Sequence, residues 1–204
     1  MTNLILGRTI SDDLADVSAS TADLATDIIG GIPVLGAVLD AARSIKNISN
    51  TLYLRKVAMT LQELEVGTSN EDRARFLTTL EAESETERFG EAIILLIDKM
   101  DDMRKPAIVG RLLSSAMRGQ LSKRRAMRLA SIVNSVFVDD LMDLHSLPGS
   151  TEGQGLLASA GLLEQMSMTV RSTPNAPFNY TYQLSLLGND LLRYGLTPYA
   201  GSPR

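Results

Sequence analysis

Apolar positions recur at helical spacing over the first three-quarters of the chain. After Ser11-Asp12-Asp13, the residues Leu14, Val17, Leu24 and Ile28 fall on one stripe and predict a helix over residues 11–29. Gly30-Gly31-Ile32-Pro33 breaks it, and Pro33 suits the first position of a following helix. Leu35, Val38, Leu39, Ala42 and Ile45 then keep the period. Past a break near Ser49-Asn50, so do Leu54, Val57, Leu61 and Leu64, until Gly67 stops the helix. Ser69 with Asp72 and Ser84 with Glu87 predict two capped starts, the second a full capping box. The helix after Ser84 becomes apolar nearly all round at residues 92–97, which predicts that it runs through the middle of a bundle. A further helix begins near Pro106, carries Ile108, Leu112, Leu113 and Met117, and ends at Gly119. Ser122 caps the next, with Met127, Ala130, Val133 and Phe137 as its stripe; Leu141 and Leu144 prolong it or begin a short successor.

After Leu147 the pattern changes. Pro148-Gly149-Ser150 and Glu152-Gly153-Gln154-Gly155 read as a loop, followed by a short helix over 156–160 that stops at Gly161. Alternation at Met166, Met168 and Val170, and again at Tyr180, Tyr182 and Leu184, predicts strands over 162–171 and 178–184, joined by a turn at 172–177. Ser185 caps a last helix over 186–194, closed by Gly195, and the final residues read as a loose tail. The expected fold is mainly α: a bundle of about six helices over residues 10–146, then a small winged-helix-like α/β element over 147–204.

Two resemblances rest on particular residues. The stretch Leu156-Leu157-Ala158-Ser159-Ala160-Gly161-Leu162-Leu163-Glu164, a hairpin, and Tyr182-Gln183-Leu184-Ser185-Leu186-Leu187-Gly188 resemble the closing half of a winged-helix domain. That resemblance implies a two-stranded wing between two helices. Residues 86–144, with Phe89-Gly90-Glu91, Leu95-Leu96-Ile97-Asp98-Lys99-Met100-Asp101 and Met117-Arg118-Gly119-Gln120-Leu121-Ser122, resemble a group of functionally uncharacterised small bacterial helical proteins. That implies a bacterial or phage source and no particular activity.

Composition narrows the chemistry. With no Cys among 204 residues, disulfides, thiolate nucleophiles and Cys-based metal sites are excluded, and a single His excludes a multi-His metal cage. The apolar run at 28–39 is twelve residues long, short of the roughly 20 that a helix needs to cross hydrocarbon. A cytoplasmic protein is therefore expected. The sequence shows no Gly-x-Ser-x-Gly, no His-Glu-x-x-His and no phosphate-binding glycine loop.

Charge is laid out in blocks. Residues 11–40 hold six Asp and no base, and residues 81–102 hold eight acids and two bases. Residues 103–138 hold eight bases and no acid. Within that basic run Arg111, Arg118, Lys123, Arg124, Arg125 and Arg128 are candidates for contact with an anion or nucleic acid. The competing expectation is that acidic helices pack beside the run and offset it. The short helix over 156–160 carries no Arg, Lys, Asn or Gln for reading bases, and residues 146–204 hold only three basic residues against three acids. Sequence-specific DNA binding by the wing is thus disfavoured. Asp139-Asp140-Leu141-Met142-Asp143 is a DDxxD string, with Asp98, Asp101 and Asp102 a second acidic cluster; carboxylates in such spacing can hold a divalent cation. His145, beside a helix end, suits carbonyl capping better than acid–base work. In the glycine-rich corner Ile32, Pro33, Val34 and Leu35 are candidates for membrane or oligomer contact. The expected function is non-enzymatic, needing no cofactor, and consists of docking a protein partner. The alternatives are a nucleic-acid-binding regulator using the run 104–128, or a membrane-directed, toxin- or defence-like effector using 28–39. Homo-oligomerisation is a further expected mode of partnering.

Overall fold

A computed structural model describes residues 48–146, 153–169 and 179–198. The expected helix over 11–29, the apolar segment 28–39 with Ile32, Pro33, Val34 and Leu35, and the loop and turn around 150 and 175 lie outside these residues. Within them the elements are α1 (Ile48–Gly67), α2 (Asn70–Ala82), α3 (Thr86–Asp98), α4 (Lys105–Met117), α5 (Lys123–Ser135) and the short α6 (Val138–Met142) with a 3-10 turn over Asp143–Ser146. Then follow α7 (Gln154–Ser159), β1 (Leu163–Thr169), β2 (Asn179–Leu184), α8 (Leu186–Leu191) and a π turn over Leu192–Leu196. The described chain is mainly helical, with one small two-stranded antiparallel sheet.

The central helix is α4, not the apolar stretch of α3. Twelve of the 13 residues of α4 are buried, and α1, α2, α5 and the π turn all pack against it. On α3 only one face is covered: Ile93 and Ile97 are buried, whereas Leu95 is 59% exposed. A run of apolar letters therefore marked a flank. The true centre was disguised by Lys105, Arg111, Ser114 and Ser115, all of them buried.

Gly110 explains how α1 and α4 come together. A Cβ on it would lie 2.7 Å from both the Glu63 Cβ and the Thr60 carbonyl oxygen, so the two backbones nearly touch. A mid-helix glycine costs about 1 kcal/mol relative to alanine, which this close approach offsets. Polar contacts line the same crossing: the Ser114 hydroxyl donates to the Glu63 carbonyl (3.0 Å) and the Thr60 hydroxyl to the Pro106 carbonyl (3.3 Å).

Most helix ends follow the sequence signals, but the expected break near Ser49-Asn50 is absent, α1 running from Ile48 through both residues. Ser69 and Asp72 make the full capping box at the start of α2, and Ser122 caps α5 by accepting from the Arg125 N–H. Ser84, expected to cap α3, instead ends α2. It sits at φ 54°, with its N–H donating to the Glu81 carbonyl and that of Glu85 to the Leu80 carbonyl. This is the Schellman arrangement, and α3 begins at Thr86 without a side-chain cap. Gly119 and Gly161 close α4 and α7 in the same way, at φ 74° and 80°. The core stripe of α5 is Ala126, Leu129, Ala130 and Val133; Phe137, expected to extend it, falls beyond the helix and is exposed.

The C-terminal helix–hairpin–helix docks on this bundle. Leu163 pairs with Leu184 and Gln165 with Tyr182, and the register shifts between Gln165 and Ser167. The Ser185 N–H donates to the Leu162 carbonyl (3.0 Å) and its hydroxyl to the Gly161 carbonyl (2.6 Å), tying the start of α8 to the end of α7. Gly195 was expected to terminate the last helix. It lies instead inside the π turn, where a Cβ would stand 2.9 Å from Leu191 and 3.1 Å from Ile108. The bare backbone there lets the turn seat on α4.

Candidate docking cleft

The basic run is distributed over very different environments. Arg111, in the middle of α4, is buried: its Nη1 donates to Glu63 Oε1 at 2.8 Å and its Nε to the Gly195 carbonyl at 2.6 Å. Lys105, 1% exposed, reaches Asp101 Oδ1 at 2.6 Å and the Asn134 carbonyl at 3.0 Å. Arg104 bridges Asp102 (2.8 Å) and Asp139 (2.6 Å). Lys123 is bonded to Glu83 and Glu85, and Arg125 to Asp190 on α8. Arg118 is half-buried just past α4, while Arg124 and Arg128 are exposed and in no ion pair among the described residues.

These pairs shape the titration of their acids. The Arg104 guanidinium, helped by the Arg104 N–H, holds Asp102 down at about 2, and Lys105 and Lys123 lower Asp101 and Glu85. Arg104 and Lys123 are raised in return by their carboxylate partners. Asp72 is lowered chiefly by accepting from Ser69 in the capping box. Tyr53 is pushed up to about 12, mainly by burial and secondarily by Asp98.

The two acidic clusters do approach each other, since Asp102 and Asp139 share Arg104. A guanidinium thus stands between carboxylates that the sequence offered as metal ligands. Among the described residues no group of three or more candidate ligands is placed to hold a metal ion. His145 is exposed on the 3-10 turn that follows α6.

A cleft of about 420 Å³ opens between α2 and the corner that joins α4 to α5. Its floor is Phe76, Leu80, Ala116 and Met117, all buried, and Phe76 is held edge-on to Phe89 at 5.4 Å. Arg75, Glu83, Lys123 and Arg124 form the rim with Thr79 and Ser122. The sequence supplies this arrangement locally. Phe76 and Leu80 are one helical turn apart on α2, Gly119 turns the chain sharply after Met117, and Ser122 restarts a helix whose first residues are Lys123 and Arg124. The positive end of the α5 dipole therefore adds to the cationic side of the rim. Such a volume is within the roughly 300–1,000 Å³ typical of ligand clefts. An apolar side chain filling it gains about 1.5–3 kcal/mol from burial.

The structure brings Lys123 and Arg124 together at this cleft, places Arg128 one turn along α5 from Arg124, and turns Arg111 into the core. The floor was missed in the sequence because nothing local to Phe76 and Leu80 announces that they meet Ala116 and Met117, which are distant along the chain. The signal that was present is the Met117–Gly119–Ser122 corner, a helix stop and restart that bares the end of α4. No helix among the described residues is long and apolar enough to cross a membrane. Compared with known proteins, the chain matches no family model, no curated sequence and no solved structure.

Proposed function

We propose that this is a non-enzymatic interaction protein that works by receiving a partner protein in the cleft between α2 and the α4–α5 corner. The observation that carries the reading is the pairing of a closed apolar floor (Phe76, Leu80, Ala116, Met117) with a rim of Arg75, Lys123 and Arg124. Apolar anchors surrounded by a charged rim are the usual anatomy of a protein-binding hot spot. The antiparallel pair of β1 and β2 acts as a winged-helix-like element whose role is to buttress the bundle: α7 and α8 are tied together through Leu162 and Ser185, and the π turn packs on α4.

The test is site-specific photo-crosslinking in the cells that make the protein. A Thr79→p-benzoylphenylalanine variant places the probe at the cleft mouth, and Glu91→p-benzoylphenylalanine on the exposed side of α3 serves as control. A discrete protein adduct is expected at Thr79, absent at Glu91, and lost when Arg124→Glu is added. Equal labelling at the two positions refutes the reading.

A second reading, nucleic-acid binding, is favoured by Arg124 and Arg128, which stand one helical turn apart on the exposed side of α5. Filter binding with mixed nucleic acid at about 50 mM salt decides between them. Retention that Arg124→Glu/Arg128→Glu abolishes supports the second reading, and its absence ends it.

A further inference from the structure

Phe137 is an apolar anchor held out from the bundle. It is 63% exposed and is the one aromatic among the exposed large apolar side chains of the described residues. Its neighbours Val136 and Val138 are both buried, and the backbone of Val136 and Phe137 is extended, so the corner between α5 and α6 is fixed and the ring stands outward. A side chain presented in this way loses little freedom on binding. Carboxylates follow it: α6 and the 3-10 turn carry Asp139, Asp140 and Asp143 and neither Lys nor Arg. Asp139 is taken up by Arg104, whereas Asp140 and Asp143 are in no ion pair among the described residues.

The cleft offers what this corner lacks. Its floor of Phe76, Leu80, Ala116 and Met117 is apolar, and Phe76, already edge-on to Phe89, gives a further ring an aromatic surface to pack against. On the rim Glu83 is answered by Lys123 and Arg75 by Asp72, which leaves Arg124 as the cation in no ion pair among the described residues. Cleft and anchor stand at opposite ends of α5, with Ser122 and Arg124 at its start and Phe137 just past its end. Thirteen residues of helix hold them about 20 Å apart, so the ring cannot reach the cleft of its own chain.

We infer that Phe137 of one copy of this chain enters the cleft of a second copy, with the acidic residues of α6 and its 3-10 turn toward Arg124. The inference rests on the docking reading above and names the partner. Because anchor and cleft are different surfaces, the contact is head-to-tail: each copy offers both, and addition continues until a ring closes or a filament grows. One ring and its rim make a contact at the small end of specific interfaces, under about 1,200 Å², so assembly depends on concentration.

Sedimentation velocity of the full chain between about 10 μM and 1 mM, the range in which weak contacts titrate, is expected to show a mean mass that rises with concentration. Phe137→Ser removes the anchor and Thr79→Trp fills the cleft mouth; both positions are exposed, and circular dichroism confirms the fold of each variant. Each variant alone should associate at least about tenfold more weakly than the parent, and Arg124→Glu should weaken association in the same direction. Mixed one to one, the Phe137→Ser and Thr79→Trp proteins should form a dimer and nothing larger, because one intact cleft and one intact Phe137 remain between them. A parent that stays monomeric at the top of that range overturns the inference. So does association indifferent to Phe137→Ser or to Thr79→Trp, or a mixture that yields no dimer. A Thr79 photo-adduct to a different protein, with the chain itself monomeric, removes this inference and leaves partner docking. Neither adduct nor association removes both.

Discussion

Replacing Arg111 with Met removes the cation from the most deeply placed ion pair of the bundle. The side chains of Arg111 and Glu63 are 9% and 7% exposed, so water does little to screen them. The change deprives the Glu63 carboxylate of a 2.8 Å donor and the Gly195 carbonyl of its 2.6 Å donor. Breaking one side of such a buried pair costs about 3–5 kcal/mol, a large part of the roughly 5–15 kcal/mol that holds a domain folded. Glu63→Met should cost a similar amount, because it takes the carboxylate away from a buried guanidinium. The double variant Glu63→Met/Arg111→Met replaces both charges by flexible apolar chains of comparable length. It should be well short of the sum of the two singles, with a coupling of at least about 2 kcal/mol. Urea denaturation followed by circular dichroism measures all four proteins, the stability change being read from the midpoint at constant slope. Single substitutions that each cost under about 1 kcal/mol, or a double variant that is simply additive, would refute the view that this pair joins α1, α4 and the π turn.

Three further expectations follow from the backbone and from the exposed carboxylates. Ser84→Gly should stabilise the protein by up to about 1 kcal/mol: it relieves a left-handed backbone at φ 54°, less the extra freedom glycine gives the unfolded chain, and a lower urea midpoint would contradict this. Gly110→Ala should instead destabilise by about 1–3 kcal/mol despite alanine's better helix propensity, since the new Cβ meets backbone at 2.7 Å; a neutral thermal melt would show that α1 and α4 are not so close. Asp72, Glu85, Asp101 and Asp102 all have lowered folded values, so the unfolded chain binds protons first as pH falls. Stability should be fully present above about pH 5, decline through the ordinary carboxylate range near 4, and lose the Asp102 share completely only below about 2. Urea midpoints between pH 6 and 2 check it, and a midpoint that rises on acidification would contradict the assignment.

How much of this was legible in the sequence depended on whether a signal was local. Gly119, Gly161, Ser69 with Asp72, Ser122 and Ser185 each act within four residues, and each does in the structure what its position announces. Ser84 failed because the same residue can accept from a following helix or close a preceding one, and here the backbone bonds back to Leu80 and Glu81 close α2. Which helix lies in the middle is a different kind of question. Hydrophobicity pointed to residues 92–97, yet a helix can be central while carrying Lys105, Arg111 and Ser114, provided each meets a partner on α1, α5 or the C-terminal turn. Those partners lie between 29 and 84 residues away in sequence, and no periodicity encodes them.

The same long-range pairing changes what the basic run can do to a polyanion, and that consequence is measurable. Eight bases without an acid between residues 103 and 138 promise a wide electrostatic footprint. If all met phosphates, the logarithm of affinity would fall against the logarithm of salt with a slope of about −7, at roughly −0.9 per contact on duplex DNA. Folding withdraws Lys105 and Arg111 into the core and commits Arg104, Lys123 and Arg125 to Asp102, Asp139, Glu83, Glu85 and Asp190. Arg124 and Arg128 remain exposed and outside any ion pair among the described residues, with Arg118 half-buried nearby. Duplex binding through Arg124 and Arg128 should therefore show a slope of only about −2 in a salt titration followed by fluorescence anisotropy. A slope of about −4 would mean that Lys123 and Arg125 abandon their carboxylates on binding and add two contacts. In that event the ion pairs around the cleft would be exchangeable contacts, and the run of bases would act as the uninterrupted patch that its sequence suggests.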